Sequence, residues 1–278
     1  MKKDRKLKFP LKGKFVAMVA PSFVVDFPYP GMIYGLKKFG FDKVVELTFG
    51  AKLVNQAYYK ELQKEGFFIS TACPGVVSVV LDKYPQYKKN LIQVDSPMIA
   101  MSKICKKVYP KHKTVFISPC NYKKEEAKKS KFVDYVVDYR ELKSLFEKNK
   151  INLNAKKKMH FDKFYNDYTK VYPLGGGLSK TAHLKNVLKK KEIKVIDGIS
   201  RVMKFLDKPD KNTRFLDCNF CVGACIGGPC VNSTESLRKR RKKVLNYLKE
   251  SLREDIPEAK KGLTKRAKGI SLITSFAR

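Results

Sequence analysis

Phe15-Val16-Ala17-Met18-Val19 runs without a polar residue into Ala20-Pro21-Ser22. That is the form of a fully buried strand whose carboxyl end opens into a loop. Working outward, residues 31–39 have helical spacing, 43–47 read as a second strand and 53–64 as a helix. Residues 67–70 form a third strand that stops at Thr71-Ala72-Cys73-Pro74-Gly75, and 76–84 read as the helix after that turn. The same grammar returns at 114–118, a β-branched run ending in Pro119-Cys120. A polar segment (121–131), a strand-like stretch (133–137) and a helix (140–148) follow. Alternating strand and helix is the pattern of a parallel α/β sheet, in which ligands collect beyond the carboxyl ends of the strands. Cys73 and Cys120 lie at two such ends.

Residues 149–167 are polar and lysine-rich, and mark a lobe boundary or a long surface loop. Beyond them Tyr172-Pro173-Leu174-Gly175-Gly176-Gly177 leads into a helix predicted over 178–190. Strands are predicted at 193–196 and 215–217, with a helix over 200–206. The densest motif comes next: Cys218-Asn219-Phe220-Cys221-Val222-Gly223-Ala224-Cys225-Ile226-Gly227-Gly228-Pro229-Cys230. Residues 234–254 carry spaced leucines among basic residues, an amphipathic helix.

Composition narrows the function classes. The 278 residues hold 60 Lys+Arg against 26 Asp+Glu, a net charge of +34, yet are 43% hydrophobic and 12% aromatic. A disordered basic tail lacks the aromatics and branched aliphatics for a core, so this chain is expected to fold. Residues 15–25 imitate a secretory signal, but Pro21 and Ser22 break the run, and Pro28 and Pro30 follow. No apolar run approaches the ~20 residues of a membrane span, so a cytoplasmic protein without a membrane partner is expected. The charge admits phosphate neutralisation, an acidic protein partner or a compositional bias. Lysines occur in every region and no nucleic-acid reading motif is present, which argues against nucleic acid.

Seven cysteines (Cys73, Cys105, Cys120, Cys218, Cys221, Cys225, Cys230) without an export signal argue for thiolate chemistry or metal ligation over a disulfide framework. Four of them within thirteen residues, interleaved with glycine, let the backbone wrap closely round a bulky inorganic centre. Structural zinc favours two separated pairs of close cysteines. Three separate loops converging on one site fit an iron-sulfur cluster better, with a set of merely buried thiols as the alternative.

Val19-Ala20-Pro21-Ser22, Phe49-Gly50-Ala51, Thr71-Ala72-Cys73-Pro74-Gly75, Ser96-Pro97 and Ser118-Pro119-Cys120 with Lys123 and Lys124 form one ordered series. Val133-Asp134-Tyr135-Val136 with Arg140-Glu141-Leu142, Gly176-Gly177, and Cys221 and Cys225 with Gly227-Gly228 complete it. In order and content the series resembles the catalytic domain of iron-iron (iron-only) hydrogenases over about residues 15–231. The short, lysine-rich form is similar to the minimal members of small-genome anaerobic archaea.

The resemblance implies a single catalytic domain over 1–278 of class α/β. It has two lobes, about 15–148 and 168–231, each a mainly parallel sheet flanked by helices, and a basic helical tail, 232–278. The cleft between the lobes would hold the H-cluster, a 4Fe-4S cubane joined through one cysteine sulfur to a two-iron subsite carrying CO, cyanide and a bridging dithiolate. Cys73, Cys120, Cys221 and Cys225 match the cubane ligands, with Cys225 the bridge. Lys123 matches the lysine that pairs with one cyanide, and Ala20, Pro21 and Ser22 the loop against the other. The implied reaction is reversible reduction of protons to H2 with ferredoxin as electron partner, after maturation proteins have built the two-iron subsite. No cysteine precedes Cys73, so no N-terminal ferredoxin-like module is expected, and an acidic ferredoxin would meet a basic surface directly.

Departures from the pattern fall on the proton relay. Ala72 stands where active members carry a relay cysteine, and Tyr58 where a relay glutamate is usual, whereas Glu61 and Ser96 match other relay members. A methyl group cannot pass a proton. Slow or rerouted turnover is therefore expected, through water or through another thiol such as Cys105, Cys218 or Cys230. The alternative is a redox or H2-sensing protein, or an iron-sulfur binding protein, on the same scaffold without significant turnover. Cys105, amid Met101-Ser102-Lys103-Ile104, reads as a packing thiol. His112, His160 and His183 read as surface histidines, and residues 238–243 as the solvated face of a helix.

Overall fold

The computed structural model describes residues 7–154, 159–165, 168–262, 268–274 and 276. The parts of the leader, the 149–167 stretch and the tail that fall on 1–6, 155–158, 166–167, 263–267, 275 and 277–278 lie outside the described residues.

The opening stretch is strand β1 (Phe15–Val19), buried at all five positions. It is interior to its sheet, between β2 (Lys43–Glu46) and β4 (Lys113–Ser118), with β5 (Tyr135–Asp138) beyond, in the order β2-β1-β4-β5. Every pairing is parallel, with Val16 beside Lys43 and Thr114. An interior parallel strand is covered on both faces, which is why β1 reads as a continuous apolar run. A second sheet has the order β3-β7-β6, from β3 (Phe68–Ile69), β7 (Phe215–Asn219) and β6 (Ile193–Asp197), again wholly parallel.

The third strand thus departs from the expected division. It lies within the range read as the first lobe but pairs with β7, Phe68 beside Phe215 and Ile69 beside Leu216. Sequence position could not show this, because strand partners are chosen by tertiary contact.

The helices are α1 (Gly31–Lys38), α2 (Thr48–Glu61), α3 (Pro74–Lys83), α4 (Pro97–Val108), α5 (Tyr122–Lys128), α6 (Tyr139–Lys148), α7 (Gly177–Thr181), α8 (Ile199–Asp207) and α9 (Leu237–Ser251). None is long and apolar enough to cross a membrane. Two differ from the sequence reading. The polar segment after Cys120 contains helix α5, which buries only Ala127 and so shows no apolar period; Lys123–Glu126 and Lys128–Glu125 pairs staple it one turn apart. The helix predicted over 178–190 stops at Thr181. There Thr181 Oγ1 donates to Gly177 O and His183 turns left-handed at φ 54°.

His112 departs as well. It is 9% exposed, beneath Asp42, whose carboxylate lies 2.5 Å from its Nε2. Arg240 in the basic run of α9 is likewise not merely solvated, since it donates to the carbonyls of Glu235 and Ile226 at 2.8 and 2.9 Å. The tail helix is thereby fastened to the loop that follows Cys225.

Candidate metal centre

Four thiols reach one region from three loops. Cys73 follows β3 as the N-cap of α3, with Pro74 supplying the first helical residue. Its sulfur accepts the N–H of Phe220 at 3.4 Å, which ties the Cys73 turn to the loop after β7. Cys120 follows β4, its N–H held by Ser118 Oγ at 3.1 Å.

Cys221 and Cys225 stand on the loop after β7, which glycine makes possible at two points. Gly223 adopts φ +81°, a left-handed conformation that costs other residues energy. At Gly228 a Cβ would lie 2.5 Å from Pro119 O, so the loop can press against the Cys120 turn only with hydrogen there. Cys225 N–H donates to Pro173 O at 3.0 Å and Cys230 N–H to Pro119 O at 3.1 Å, which fixes the packing.

Cys120, Cys221 and Cys225 each lie in the field of other thiols of this set. Burial raises the Cys225 thiol pKa, and Cys73, Cys120 and Cys221 raise it further, with Lys123 opposing. Cys221 is pushed up to about 12 by burial and then by Cys73, Cys120 and Cys230. Cys120 is raised by burial and by Cys73, against Lys123 and the N–H groups of Lys123 and Tyr122. Such a set of thiols is poised to exchange protons for metal. Among the described residues no three His, Cys, Asp or Glu side chains stand close enough to share a single metal ion. An iron-sulfur cluster places each thiolate on its own iron.

Lys123 lies on α5, its side chain 12% exposed; Nζ donates to Glu126 Oε2 at 2.6 Å and to Ala72 O at 3.4 Å. Ala20, Pro21 and Ser22 begin the 3-10 turn after β1 and are buried, with Ser22 Oγ and Tyr139 OH 2.8 Å apart. Tyr172 was not legible as a site residue. Its hydroxyl is buried without a partner, in the electrostatic range of Tyr58, Asp217 and Cys225. A buried orphan hydroxyl is one mark of a site shaped for a bound group.

Among the described residues the expected relay residues make their hydrogen bonds to other groups. Glu61, at the end of α2, is held by Lys64 at 2.8 Å. Ser96 caps α4, accepting Ile99 N–H. Tyr58 is fully buried and bonded to Thr71. Cys105 is buried in the core on α4, with burial raising its pKa, as a packing thiol would be. Cys218 is buried on β7, 3.6 Å from Ser70 Oγ, and Cys230 donates to Asn121 Oδ1 at 2.8 Å.

Residues 13–229 match the family described as iron only hydrogenase large subunit, C-terminal domain. The chain belongs to that family. It is 25% identical over 275 residues to iron hydrogenase 1 of Clostridium pasteurianum, matching over 77% of this chain and spanning 48%, about half, of that relative. Among solved structures, a variant of FeFe-hydrogenase HydA1 from Chlamydomonas reinhardtii superposes with TM-score 0.66 at 17% identity, over 92% of this chain and 87% of that one. An FeFe-hydrogenase studied for oxygen inactivation of its H cluster superposes with TM-score 0.67 at 16% identity, over 96% and 88%. These establish the FeFe-hydrogenase fold for the α/β architecture. The H-cluster is the family's defining cofactor.

Proposed function

We propose that this protein is a minimal iron-iron hydrogenase that reversibly reduces protons to H2, slowly because Ala72 replaces the relay cysteine. The observation that carries this reading is the meeting of Cys73, Cys120, Cys221 and Cys225, from the ends of three strands in two sheets, in the field of Lys123, whose ammonium is paired with Glu126. These four thiolates would hold the cluster. The H-cluster, when bound, supplies the redox centre at which electrons and protons combine.

Around it this chain's residues position and exclude. Lys123 presents a compact positive charge to the anionic centre, which a flexible four-carbon stem suits. Ala20, Pro21 and Ser22 close the opposite wall, braced by Tyr139, which also donates to Ala20 O at 3.2 Å. The net charge of +34 supports an acidic ferredoxin as electron partner, with association slowing as salt rises. Insertion of the two-iron subsite calls for maturation proteins, and the reading places the protein in the cytoplasm.

A second reading, a sensor or iron-sulfur protein without significant turnover, is favoured by one observation: the hydroxyl of Tyr58 is locked onto Thr71 where the family has a relay carboxylate. The experiment that separates them is anaerobic reconstitution with iron and sulfide, then addition of a synthetic two-iron cofactor. Infrared bands of CO and cyanide with H2 from reduced viologen are expected. Bands without H2 favour the sensor, and a cubane that never acquires the bands overturns both hydrogen-linked readings.

A further inference from the structure

One buried hydroxyl near the metal centre is left unanswered by this chain. Tyr172 OH is buried, yet it has no hydrogen-bond partner among the described residues. Burying a polar group without a partner costs more than a typical hydrogen bond returns. Such a group calls for a partner from outside the chain.

The neighbours show on which side that partner stands. Tyr58, Asp217 and Cys225 are the titratable groups within electrostatic range of the hydroxyl. Tyr58 OH is turned to Thr71, bonded to its Oγ1 at 2.9 Å and accepting its N–H at 2.6 Å. Asp217 is engaged by Ser179, whose N–H and Oγ donate to one carboxylate oxygen at 2.9 and 2.6 Å. Only Cys225, a thiol of the candidate centre, still faces something to be bound.

The tyrosine is held in that place from both ends. Its N–H donates to Thr169 O at 3.0 Å, and the next carbonyl, Pro173 O, accepts Cys225 N–H at 3.0 Å. A Cβ at Gly177 would lie 2.5 Å from both Val171 O and Tyr172 O, so the turn draws in this closely only with glycine there. The ring packs on an apolar cluster that includes Tyr58, Leu178 and Phe215, and Ala72 of the Cys73 turn packs on the same cluster. Tyr172 thus stands between two of the loops that carry the thiols.

Resting on the cluster-binding part of the reading above, we infer that Tyr172 is a positioning residue whose hydroxyl donates a hydrogen bond to the bound iron-sulfur group. A phenol keeps its proton below its ordinary pKa of about 10, so the group is a donor at neutral pH. The acceptor is an anionic atom held by iron, either a sulfide of the cubane or a ligand of the two-iron subsite. Charge-assisted bonds of this kind are strong where water is excluded. A hydrogen bond to cluster sulfur favours the reduced, more negative state and draws the reduction potential upward. No proton or electron moves on Tyr172 itself.

The test uses the full chain reconstituted anaerobically with iron and sulfide. Tyr172→Phe removes the hydroxyl and keeps the ring. The reduction potential of the loaded variant is expected to fall by the equivalent of a roughly tenfold change in the reduced-to-oxidised ratio, about 59 mV for a one-electron couple. Tyr247→Phe should leave the potential unmoved. Without the cluster, Y172F is expected to unfold at the same or a higher denaturant concentration than the parent, since an unanswered hydroxyl has been removed. Adding synthetic two-iron cofactor separates the two acceptors. A lower potential with unmoved CO and cyanide bands assigns the bond to the cubane, and shifted bands at an unchanged potential assign it to the two-iron subsite. A loaded Y172F protein with the parent's potential and bands overturns the donor alone, as does a loss of cluster-free stability, which would reveal a partner within the chain. A parent that takes up no cluster overturns the cluster reading and the donor with it.

Discussion

Two buried polar clusters in this molecule are built from similar means and end differently. Lys170 and Glu46 are 0% and 1% exposed and lie 2.7 Å apart. Glu46 also accepts Thr48 Oγ1 at 2.9 Å and Tyr247 OH at 2.7 Å, and Lys170 Nζ stands 3.2 Å from Tyr247 OH and 4.5 Å from its ring centre. Every charge there finds its counterpart within the chain. At the candidate metal centre burial, and then neighbouring thiols, raise the pKa of Cys120, Cys221 and Cys225, only Cys120 and Cys225 being opposed by Lys123, and Tyr172 OH has no partner. Buried polarity that is answered internally holds the fold together, whereas buried polarity left unanswered marks the place of a ligand.

The largest expected effect is at the metal centre. Cys225→Ala should bring retained iron after reconstitution down to background, with the fold intact by circular dichroism; full iron retention would sink the ligand assignment. Next, Lys170→Met leaves Glu46 charged and alone, and is expected to cost about 3–5 kcal/mol by chemical denaturation. The Lys170→Met, Glu46→Leu double change should recover most of it, since the pair's burial and not its attraction is then removed. If the single change were neutral, the contrast between the two clusters would fail. Tyr247→Phe removes one hydrogen bond to Glu46 and should cost about 1–3 kcal/mol, without altering iron content. Cys105→Ala should leave iron unchanged and cost about 1 kcal/mol.

The smallest effect is one of pH. The hydrogen bond to His112 is the main cause that holds the Asp42 carboxyl below its ordinary value, with Lys43 and Lys37 adding. A depressed carboxyl stabilises the fold above its unfolded pKa of about 3.9 and loses that contribution as pH falls through the lower folded value. His112→Ala should therefore flatten the acid limb of stability below roughly pH 4, weakly because Asp42 is 43% exposed. An unchanged acid limb would show that the pair is only a surface contact.

How far the sequence could be read follows the same division. The strands were legible where burial on both faces leaves an uninterrupted apolar run, as in β1 and β4. Helix α5 was not, because ion pairs and not an apolar stripe hold it, although Lys123 and Glu126 stand one helical turn apart in plain view. Tyr172 gave no signal. It belongs to no spaced motif, and its meaning comes from what stands next to it after folding. His112 looked exposed because its lysine-rich neighbours do not reveal Asp42, seventy residues away.

By itself the sequence determined the α/β class and the strand-end cysteines, since periodicity and residue type are local properties of the chain. The pairing of β3 with β7, the meeting of three loops at one centre and the closure of Tyr58 on Thr71 were decided only by the tertiary structure. Those depend on which distant groups come within a few ångströms of one another, and hydrogen bonding, burial and charge act only at that range.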